Sequence, residues 1–292
     1  MPVLPLSDIQ GNLAGFSKDQ QRFVFLSFPD QASGRGFLGD IAGNLATCDQ
    51  VLESNDLFKK VNAGHQGEPA VDSNKVEANW TNLALSFTGL QVLGAGGMSA
   101  FPQEFQSGMK AAAERIGDVD ESAPAGWVVP FNQTIHAVVL LAADELADLE
   151  RLYTELQSHL AAHTVAELGH EDGRVREGGA HGHEHFGFKD GISQPAIAGL
   201  SLPGIDAAPK PGQSVIAPGQ FLLGQPKDLN PPAPQPPAPP LQPSDPGYPG
   251  PAPAPTPAPD PFPAWAINGS YLVFRRLRQH VQGFQRVRQG AR

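Results

Sequence analysis

The sequence EHFGFKDGISQP, residues 184–195, places glycine, aromatic, cationic, carboxylate and amide side chains within twelve positions. Gly187, Gly191 and Pro195 interrupt it too often for a regular helix or a central strand. We therefore expect Asp190 on a backbone bent by glycines, with its carboxylate directed into a pocket. The alternative is an Asx-type turn, in which Asp190 only accepts hydrogen bonds from nearby backbone N–H groups.

Four further blocks accompany this stretch along the chain. They are DIQGN at residues 8–12, NLALSFTGLQVLG at 82–94, PGQFLLG at 218–224 and NGSYLVFRRL at 268–277. Together with Gly187, Asp190 and Gly191, these blocks resemble the dye-decolourising peroxidases and their G-x-x-D-G signature. Those peroxidases are haem enzymes of the dimeric α+β-barrel superfamily. The resemblance covers almost the whole chain.

The resemblance implies that Asp190 is the distal acid/base of a peroxidase that uses hydrogen peroxide to oxidise dyes or phenolic aromatics. In the family this aspartate moves a proton from one oxygen of the peroxide to the other, so that water leaves. A carboxylate of ordinary acidity can do this when it is ionised before peroxide binds. The resemblance also implies heme b as the cofactor, contacted by Phe188, Gly191, Ile192, Ser193 and Gln194.

The family requires two further parts, a proximal histidine for the iron and a distal arginine that stabilises developing negative charge. Both normally lie well beyond the block at residues 268–277, whereas fifteen residues follow that block here. We therefore expect an N-terminal portion without the usual C-terminal part and with impaired activity. His280, the only histidine after the signature, resembles a solvated helix start more than an axial ligand. No axial histidine is assigned.

The second interpretation is a non-enzymatic, ferredoxin-like remnant or binding module. It would bind partners through the histidine tract, His181, His183 and His185, or through a proline-rich insert. Histidines at alternate positions of a strand face one way and can hold zinc or copper. The same tract in a loop is an exposed polar segment, and because we expect a loop here, no metal site is predicted.

The formal net charge of −10 at pH 7 argues against a nucleic-acid partner for the chain as a whole. Residues 264–292 hold six arginines and no carboxylate, so they carry +6 and the preceding residues carry −16. This basic end is typical of a solvated helix face, with a phosphate or membrane-surface patch as the alternative. No leader and no run of eighteen apolar residues occurs, so we expect a cytoplasmic protein without a membrane partner. The sequence allows a homo-oligomer.

Cys48 is the only cysteine, so an internal disulfide cannot form and a reducing compartment is favoured. It lies on the apolar face of a helix predicted at residues 37–52, where apolar residues recur every three or four positions. No basic residue stands beside it to lower its pKa. A packed structural thiol is therefore favoured over a nucleophile.

The predicted elements alternate between strands and helices, which is typical of an α+β sandwich with helices on one face of the sheet. Strands are predicted at residues 22–28, 80–87 and 134–141, and helices at 37–52, 90–94, 104–116 and 146–160. Asp144 is the expected N-cap of the last helix, and a turn is predicted at residues 171–173. The family resemblance sharpens this pattern into a ferredoxin-like fold whose second half is incomplete.

The domain boundaries follow from these patterns. A first ferredoxin-like domain is predicted at residues 1–200, with the signature at its end, and a partial second one at residues 213–292. The second contains predicted strands at 213–223 and 270–274 and a helix from Arg275. A proline-rich insert at residues 226–263, with 18 prolines in 38 residues, interrupts it. Because proline lacks the N–H donor of sheets and helices, we expect an exposed, polyproline-II-like segment.

Overall fold

The computed structural model of the chain describes residues 4–62, 78–189, 195–202, 214–229 and 262–290. Its centre is a four-stranded antiparallel sheet in the order β2-β3-β1-β4. The strands are β1 (Gln20–Ser27), β2 (Trp80–Leu85), β3 (Ala137–Ala143) and β4 (Ala166–Arg174). Val24 of β1 pairs with Val139 of β3 on one side and with His170 of β4 on the other. The mixed helix and antiparallel-sheet architecture agrees with the predicted α+β class.

The two central strands are placed by their apolar side chains. All seven residues of β3 are buried, as expected for a strand covered on both faces. In β1 the side chains alternate, so that Val24 and Leu26 face one core while Phe23 and Phe25 face the opposite one. The strand predicted at residues 22–28 is confirmed, and the one predicted at 134–141 lies two to three residues further along.

The described helices are α1 (Gln31–Ile41), α2 (Cys48–Asn62), α3 (Phe87–Val92), α4 (Gln103–Ala112), α5 (Leu146–Ala162) and α6 (Val281–Gly290). Helices α1 and α5 pack on one face of the sheet and against each other. Leu149, Leu156 and Leu160 of α5 are buried there, which confirms the amphipathic helix predicted from apolar spacing. Phe37 and Ile41 of α1 fill the same core. Full burial of such side chains stabilises the fold by about 1.5–3 kcal/mol each.

The opposite face of the sheet is covered by aromatic side chains from outside the regular elements. Phe274 lies over the rings of Phe23 and Phe25, with centroid separations of 5.0 and 5.1 Å. Phe131 stacks on Phe274 at 5.6 Å with nearly parallel rings. Val273, the preceding residue, is 68% exposed. Phe274 therefore anchors an otherwise exposed segment to the sheet.

Arg22 of β1 is 6% exposed and ties α5 to the sheet. Its Nε and Nη2 donate to Asp172 of β4 at 2.6 and 2.9 Å, and Nη1 and Nη2 donate to Glu150 of α5 at 3.2 and 3.0 Å. The guanidinium also lies 4.5 Å from the ring centre of Tyr153. The turn predicted at residues 171–173 is wrong, because these residues lie within β4 and supply this ion pair.

The single helix predicted at residues 37–52 is also wrong. The chain leaves α1 through a 3-10 turn, and the N–H of Ala46 then donates to the carbonyl of Thr81 in β2 at 2.8 Å. The edge of the sheet thus takes up backbone groups that a continuous helix would have paired internally.

Cys48 begins α2 and is fully buried, and its burial raises the pKa of the thiol to about 11. The prediction of a packed structural thiol is confirmed.

The predicted cap of α5 needs correction as well. Glu145 is its N-cap and makes no side-chain capping bond. Asp144 instead binds Lys18 at 2.6 Å. The charge of Asp144 thus links the loop before β1 to the loop before α5.

Two further helices differ from the prediction at their boundaries. Helix α3 begins earlier than predicted, because the hydroxyl of Ser86 accepts the N–H of Gly89 at 3.0 Å and caps it. The helix predicted at residues 104–116 is interrupted at Gly108, whose backbone is not helical. Gly117, with φ of 83°, ends the following 3-10 turn, as predicted.

The predicted second domain contains little regular structure among its described residues. β5 (Ala196–Ile197) and β6 (Val215–Ile216) form a two-stranded parallel sheet, so the strand predicted at 213–223 is reduced to two residues. The strand at 270–274 and the helix start at Arg275 are wrong, since α6 begins only at Val281. The residues YLVF favour a strand, but within the described ranges their backbone joins no ladder.

A hydrogen-bonded clamp at Asn268 joins distant parts of the chain. Its N–H donates to the carbonyl of Leu223 at 3.0 Å, and the N–H of Leu223 donates to Gly269 at 2.9 Å. The side chain of Asn268 donates to Asp8 at 2.7 Å and accepts from Gln225 at 2.6 Å. The blocks at the two ends of the chain and the PGQFLLG block therefore meet at one point.

The proline-rich insert and the domain boundaries stay predictions. Residues 230–261 of the insert lie outside the described residues.

Within the described ranges, none of the helices combines the length and the apolar content needed to cross a bilayer.

Candidate functional site

The loop that follows β4, residues 183–189, leads directly into the signature, and we call it the signature loop. Its first and last residues form an antiparallel bridge. The N–H of Glu184 donates to Phe188 at 2.9 Å, and the N–H of Gly187 donates to Glu184 at 3.0 Å. Gly187 has φ of 99°, a conformation that favours glycine. Gly187 therefore bends the backbone of the signature loop, whereas the predicted bend at Asp190 lies outside the described residues and stays a prediction.

The carboxylate of Glu184 closes the signature loop. One oxygen accepts the N–H of Phe188 at 2.7 Å, and the other accepts the N–H of Phe186 at 2.8 Å and the side-chain amide of Gln279 at 2.6 Å. Burial raises the pKa of Glu184, but these bonds to the charged form together outweigh it and leave the pKa below its usual value. Arg176 also donates to the carbonyl of Glu184 at 2.8 Å. One ionised side chain thus ties the loop to the C-terminal segment.

Two phenylalanines of the signature loop hold helix α6. The ring of Phe284 lies 4.7 Å from that of Phe186 and 5.7 Å from that of Phe188. The side chain of Gln285 donates to the carbonyl of Phe186 at 3.2 Å. Phe188 is nevertheless 59% exposed, so much of its ring offers an apolar surface.

Most of the predicted site lies just beyond this loop. The predicted site residues that lie outside the described ranges are Asp190, Gly191, Ile192, Ser193 and Gln194. The proton-transfer role and four of the five cofactor contacts therefore stay predictions. Phe188 is the predicted contact that the structure describes, and its exposed ring is compatible with a planar apolar ligand.

The histidine tract lies in a loop, as the sequence suggested. The Nδ1 of His183 bonds the carbonyl of His181 at 2.9 Å, and both His181 and His185 are exposed. Across the described ranges, no three His, Cys, Asp or Glu side chains are grouped in a way that could hold a metal ion.

The described residues do not fit a complete haem site. His280, the histidine that follows the signature, is exposed, whereas an axial ligand belongs in an apolar cavity that buries the porphyrin. Two open clefts of about 550 and 530 Å³ occur in the described structure, one beside β6 and the other beside the start of β2. Neither is lined by the signature loop. What this part of the chain offers a haem is one aromatic surface at Phe188.

Comparison with known proteins decides the family. A family profile described as "DyP dimeric alpha+beta barrel domain" matches residues 8–177, more than half of the chain. The chain belongs to the dye-decolorizing peroxidase family. The resemblance drawn from the sequence blocks is thereby confirmed, together with the ferredoxin-like α+β class.

Individual dye-decolorizing peroxidases match almost the whole chain. The dye-decolorizing peroxidase msp1 of Mycetinis scorodonius is 32% identical over 289 residues, which are 98% of this chain and 46% of that protein. Peroxidase 2 of the same organism is 33% identical over 285 residues, 97% of this chain and 45% of that protein. A solved variant of the dye-decolorizing peroxidase from Pleurotus ostreatus has a TM-score of 0.66 at 27% identity, covering 77% of this chain and 46% of that chain. This chain therefore spans about half the length of the curated relatives it matches.

The contacts that hold the signature loop in this dye-decolorizing peroxidase chain are not predictable from the sequence. Gln279 lies 95 residues from Glu184 along the chain, so no local pattern links them. Val281 and Phe284 give a weak signal, because their spacing of three predicts a helix with a narrow apolar face. The partner of that face is evident only from the fold.

Proposed function

We propose that this chain supplies the part bearing Asp190 of a haem-dependent peroxidase, which uses hydrogen peroxide to oxidise dyes or phenolic aromatics. The match to dye-decolorizing peroxidase msp1 over 98% of the chain is the observation that carries the proposal. A solved neighbour at 29% identity is a dye-decolorizing peroxidase in complex with 2,6-dimethoxyphenol, which favours a phenolic reductant. We further propose that residues 1–200 and 213–292 belong to two ferredoxin-like domains.

Asp190 is the proposed acid/base. As an ionised carboxylate it would take a proton from one oxygen of hydrogen peroxide and return it to the other, so that this second oxygen leaves as water. A bound haem would supply the two electrons for O–O cleavage and take up the remaining oxygen atom. Heme b is the proposed cofactor of the whole protein, and Phe188, Gly191, Ile192, Ser193 and Gln194 are the residues that would contact it. Its axial histidine and the charge-stabilising arginine are not assigned to residues of this chain.

The test is haem binding and turnover by the purified 292-residue chain. Haem is quantified by the pyridine haemochrome assay after reconstitution, and peroxide-dependent oxidation of a dye and of 2,6-dimethoxyphenol is followed. In a chain completed by a C-terminal part that supplies the axial histidine, Asp190→Asn is expected to keep bound haem and to lose about 100- to 10,000-fold in turnover, the usual contribution of general acid–base catalysis. Asp19→Asn, at an exposed aspartate before β1, is the matched control and should change neither property.

Two results would count against the proposal. Unchanged turnover in Asp190→Asn would remove Asp190 from the chemistry. A chain that stays colourless after reconstitution, and instead binds zinc or a protein partner, would support the alternative of a non-enzymatic, ferredoxin-like binding module.

A further inference from the structure

The clamp at Asn268 is built on an Asn-Gly pair. Gly269 follows Asn268, and no other asparagine of the sequence is followed by glycine. In such a pair the backbone nitrogen of the glycine can attack the side-chain amide carbon of the asparagine, because glycine has no side chain to block the approach. Asn268 is therefore the asparagine of this sequence that is chemically most prone to deamidation, the reaction that makes asparagine thermolabile.

The reaction consumes water and needs no other reagent. The nitrogen of Gly269 forms a bond to Cγ of Asn268 and gives up its proton, the side-chain nitrogen leaves as ammonia, and a cyclic succinimide remains. Water then opens the ring at either of its carbonyl groups. One opening gives aspartate. The other gives isoaspartate, in which the backbone runs through the former side chain and is longer by one carbon atom.

The folded clamp engages both reacting groups. The N–H of Gly269 donates to the carbonyl of Ala266 at 3.0 Å. The side-chain amide of Asn268 donates to Asp8 at 2.7 Å and accepts from Gln225 at 2.6 Å. Asn268 is also buried, so little water reaches the amide carbon. The attack therefore requires these hydrogen bonds to break first, in a local opening of the clamp.

We propose that Asn268 is a modification site that the closed clamp protects, and that its deamidation after a local opening prevents the clamp from closing again. Aspartate at position 268 has no donor for Asp8. It places a second carboxylate beside that of Asp8, and the two repel even though Asp8 is exposed to water. Isoaspartate lengthens the backbone between the N–H of residue 268 and the carbonyl of Gly269, the two groups that pair with Leu223 at 3.0 and 2.9 Å.

The modification makes the opening of the clamp a one-way transition. An unmodified clamp opens and closes reversibly, whereas chemical change of the opened form removes it from that equilibrium. The parts that lose their attachment are the start of the chain at Asp8, the PGQFLLG block and the block at residues 268–277. This inference concerns how the chain stays assembled and is independent of haem and of the proposed function of Asp190.

The first test compares deamidation in the native and the urea-unfolded chain at pH 8. The peptide that contains residue 268 is analysed by mass spectrometry for the exchange of NH₂ for OH, and isoaspartate is detected by enzymatic methylation. Deamidation at Asn268 should be at least tenfold slower in the native chain, because only the opened fraction reacts. Asn132 is the internal control. It is exposed and precedes a glutamine whose side chain hinders the attack, so it should react slowly in both states.

Variants then loosen the clamp without changing the reacting pair. Asp8→Ala removes the acceptor of the Asn268 amide and should speed deamidation of the folded chain at least threefold, since it raises the opened fraction. Asp19→Ala, at another exposed aspartate, is the matched control and should leave the rate unchanged. Gln225→Ala removes the other partner of the amide and gives the same measurement if Asp8→Ala fails to fold.

The second test examines the product. Asn268→Asp reproduces one outcome of the reaction, and the amide of Leu223 should exchange with solvent at least tenfold faster while amides of β1 and β3 keep their protection. Adding Asp8→Asn reverses the pair, so that the side chain at position 8 donates and the one at position 268 accepts. Exchange at Leu223 should then return to within threefold of the unaltered chain.

Four results would overturn the proposal. The first is an equal rate of deamidation at Asn268 in the native and the unfolded chain, and the second is no deamidation in the unfolded chain. The third is an unchanged rate in both clamp variants. The fourth is an exchange pattern in Asn268→Asp that is unchanged at Leu223, faster throughout the sheet, or not restored by Asp8→Asn.

Discussion

Phe274 is the side chain whose removal best tests how the C-terminal segment is held. Phe274→Ala would separate that segment from Phe23, Phe25 and Phe131, whose ring centres lie 5.0–5.6 Å away. Replacing a fully buried phenylalanine by alanine costs about 3–5 kcal/mol, and aromatic pairs add about 0.5–1.5 kcal/mol each. Because Phe274 is only half-buried, we expect a loss of about 2–3 kcal/mol in the free energy of unfolding.

The measurement is urea unfolding followed by far-UV circular dichroism, together with hydrogen exchange of β1. Val273→Ala is the matched control, because Val273 is 68% exposed and its truncation should cost less than about 0.5 kcal/mol. Exchange in β1 should rise in Phe274→Ala and stay constant in the control. Equal effects of the two variants, or no effect of either, would refute the packing of residues 270–280 on this face of the sheet.

Three further predictions follow from single contacts. Burial raises the pKa of the Cys48 thiol to about 11, so iodoacetamide at pH 8 should label Cys48 only after unfolding, as read by mass spectrometry. The hydrogen bond from Arg22 lowers the pKa of Asp172, so this ion pair stabilises the fold above the unfolded pKa of about 4 and is lost as pH falls through the lower folded value. Asp172→Asn should therefore lower the free energy of unfolding by about 1 kcal/mol at pH 7, a modest loss because the carboxylate is half-exposed. The difference in unfolding free energy between the variant and the unaltered chain should shrink towards pH 2, as measured by urea titration. A Cβ at Gly89 would overlap the backbone carbonyl oxygen of His136, so Gly89→Ala should lower the free energy of unfolding by about 2–3 kcal/mol. Gly39 of α1 lies in open space, so Gly39→Ala should raise the free energy of unfolding by about 0.5–1 kcal/mol. Urea unfolding of both variants measures these changes.

The sequence predicts the sheet and its helical layer well, for a physical reason. The strand β3 and the helix α5 carry long apolar patterns of different period, and burial of those side chains decides their structure locally. The α1–α2 region shows where such reasoning stops. Its apolar spacing continues across residues 42–47, yet backbone bonding to the edge strand β2 breaks the helix. Because β2 is distant in sequence, its competition for these backbone hydrogen bonds leaves no pattern in the residues between α1 and α2.

The candidate site divides in the same way. The bend at Gly187 follows from composition alone, because glycine tolerates positive φ. The roles of Glu184, Gln279 and Phe284 do not, since each depends on a partner about 95–100 residues away. The strand predicted at residues 270–274 fails for a related reason. Its residues have strand propensity, but a strand also needs a neighbouring strand to bond with.

The clamp between Leu223 and Asn268 has a practical consequence for protein engineering. Two backbone hydrogen bonds hold the ends of the intervening 44 residues next to each other. The entropic cost of closing a loop rises only slowly with its length, so a longer insert should add little to that cost. A compact reporter domain whose own termini lie close together could replace residues 230–261 without pulling the clamp apart.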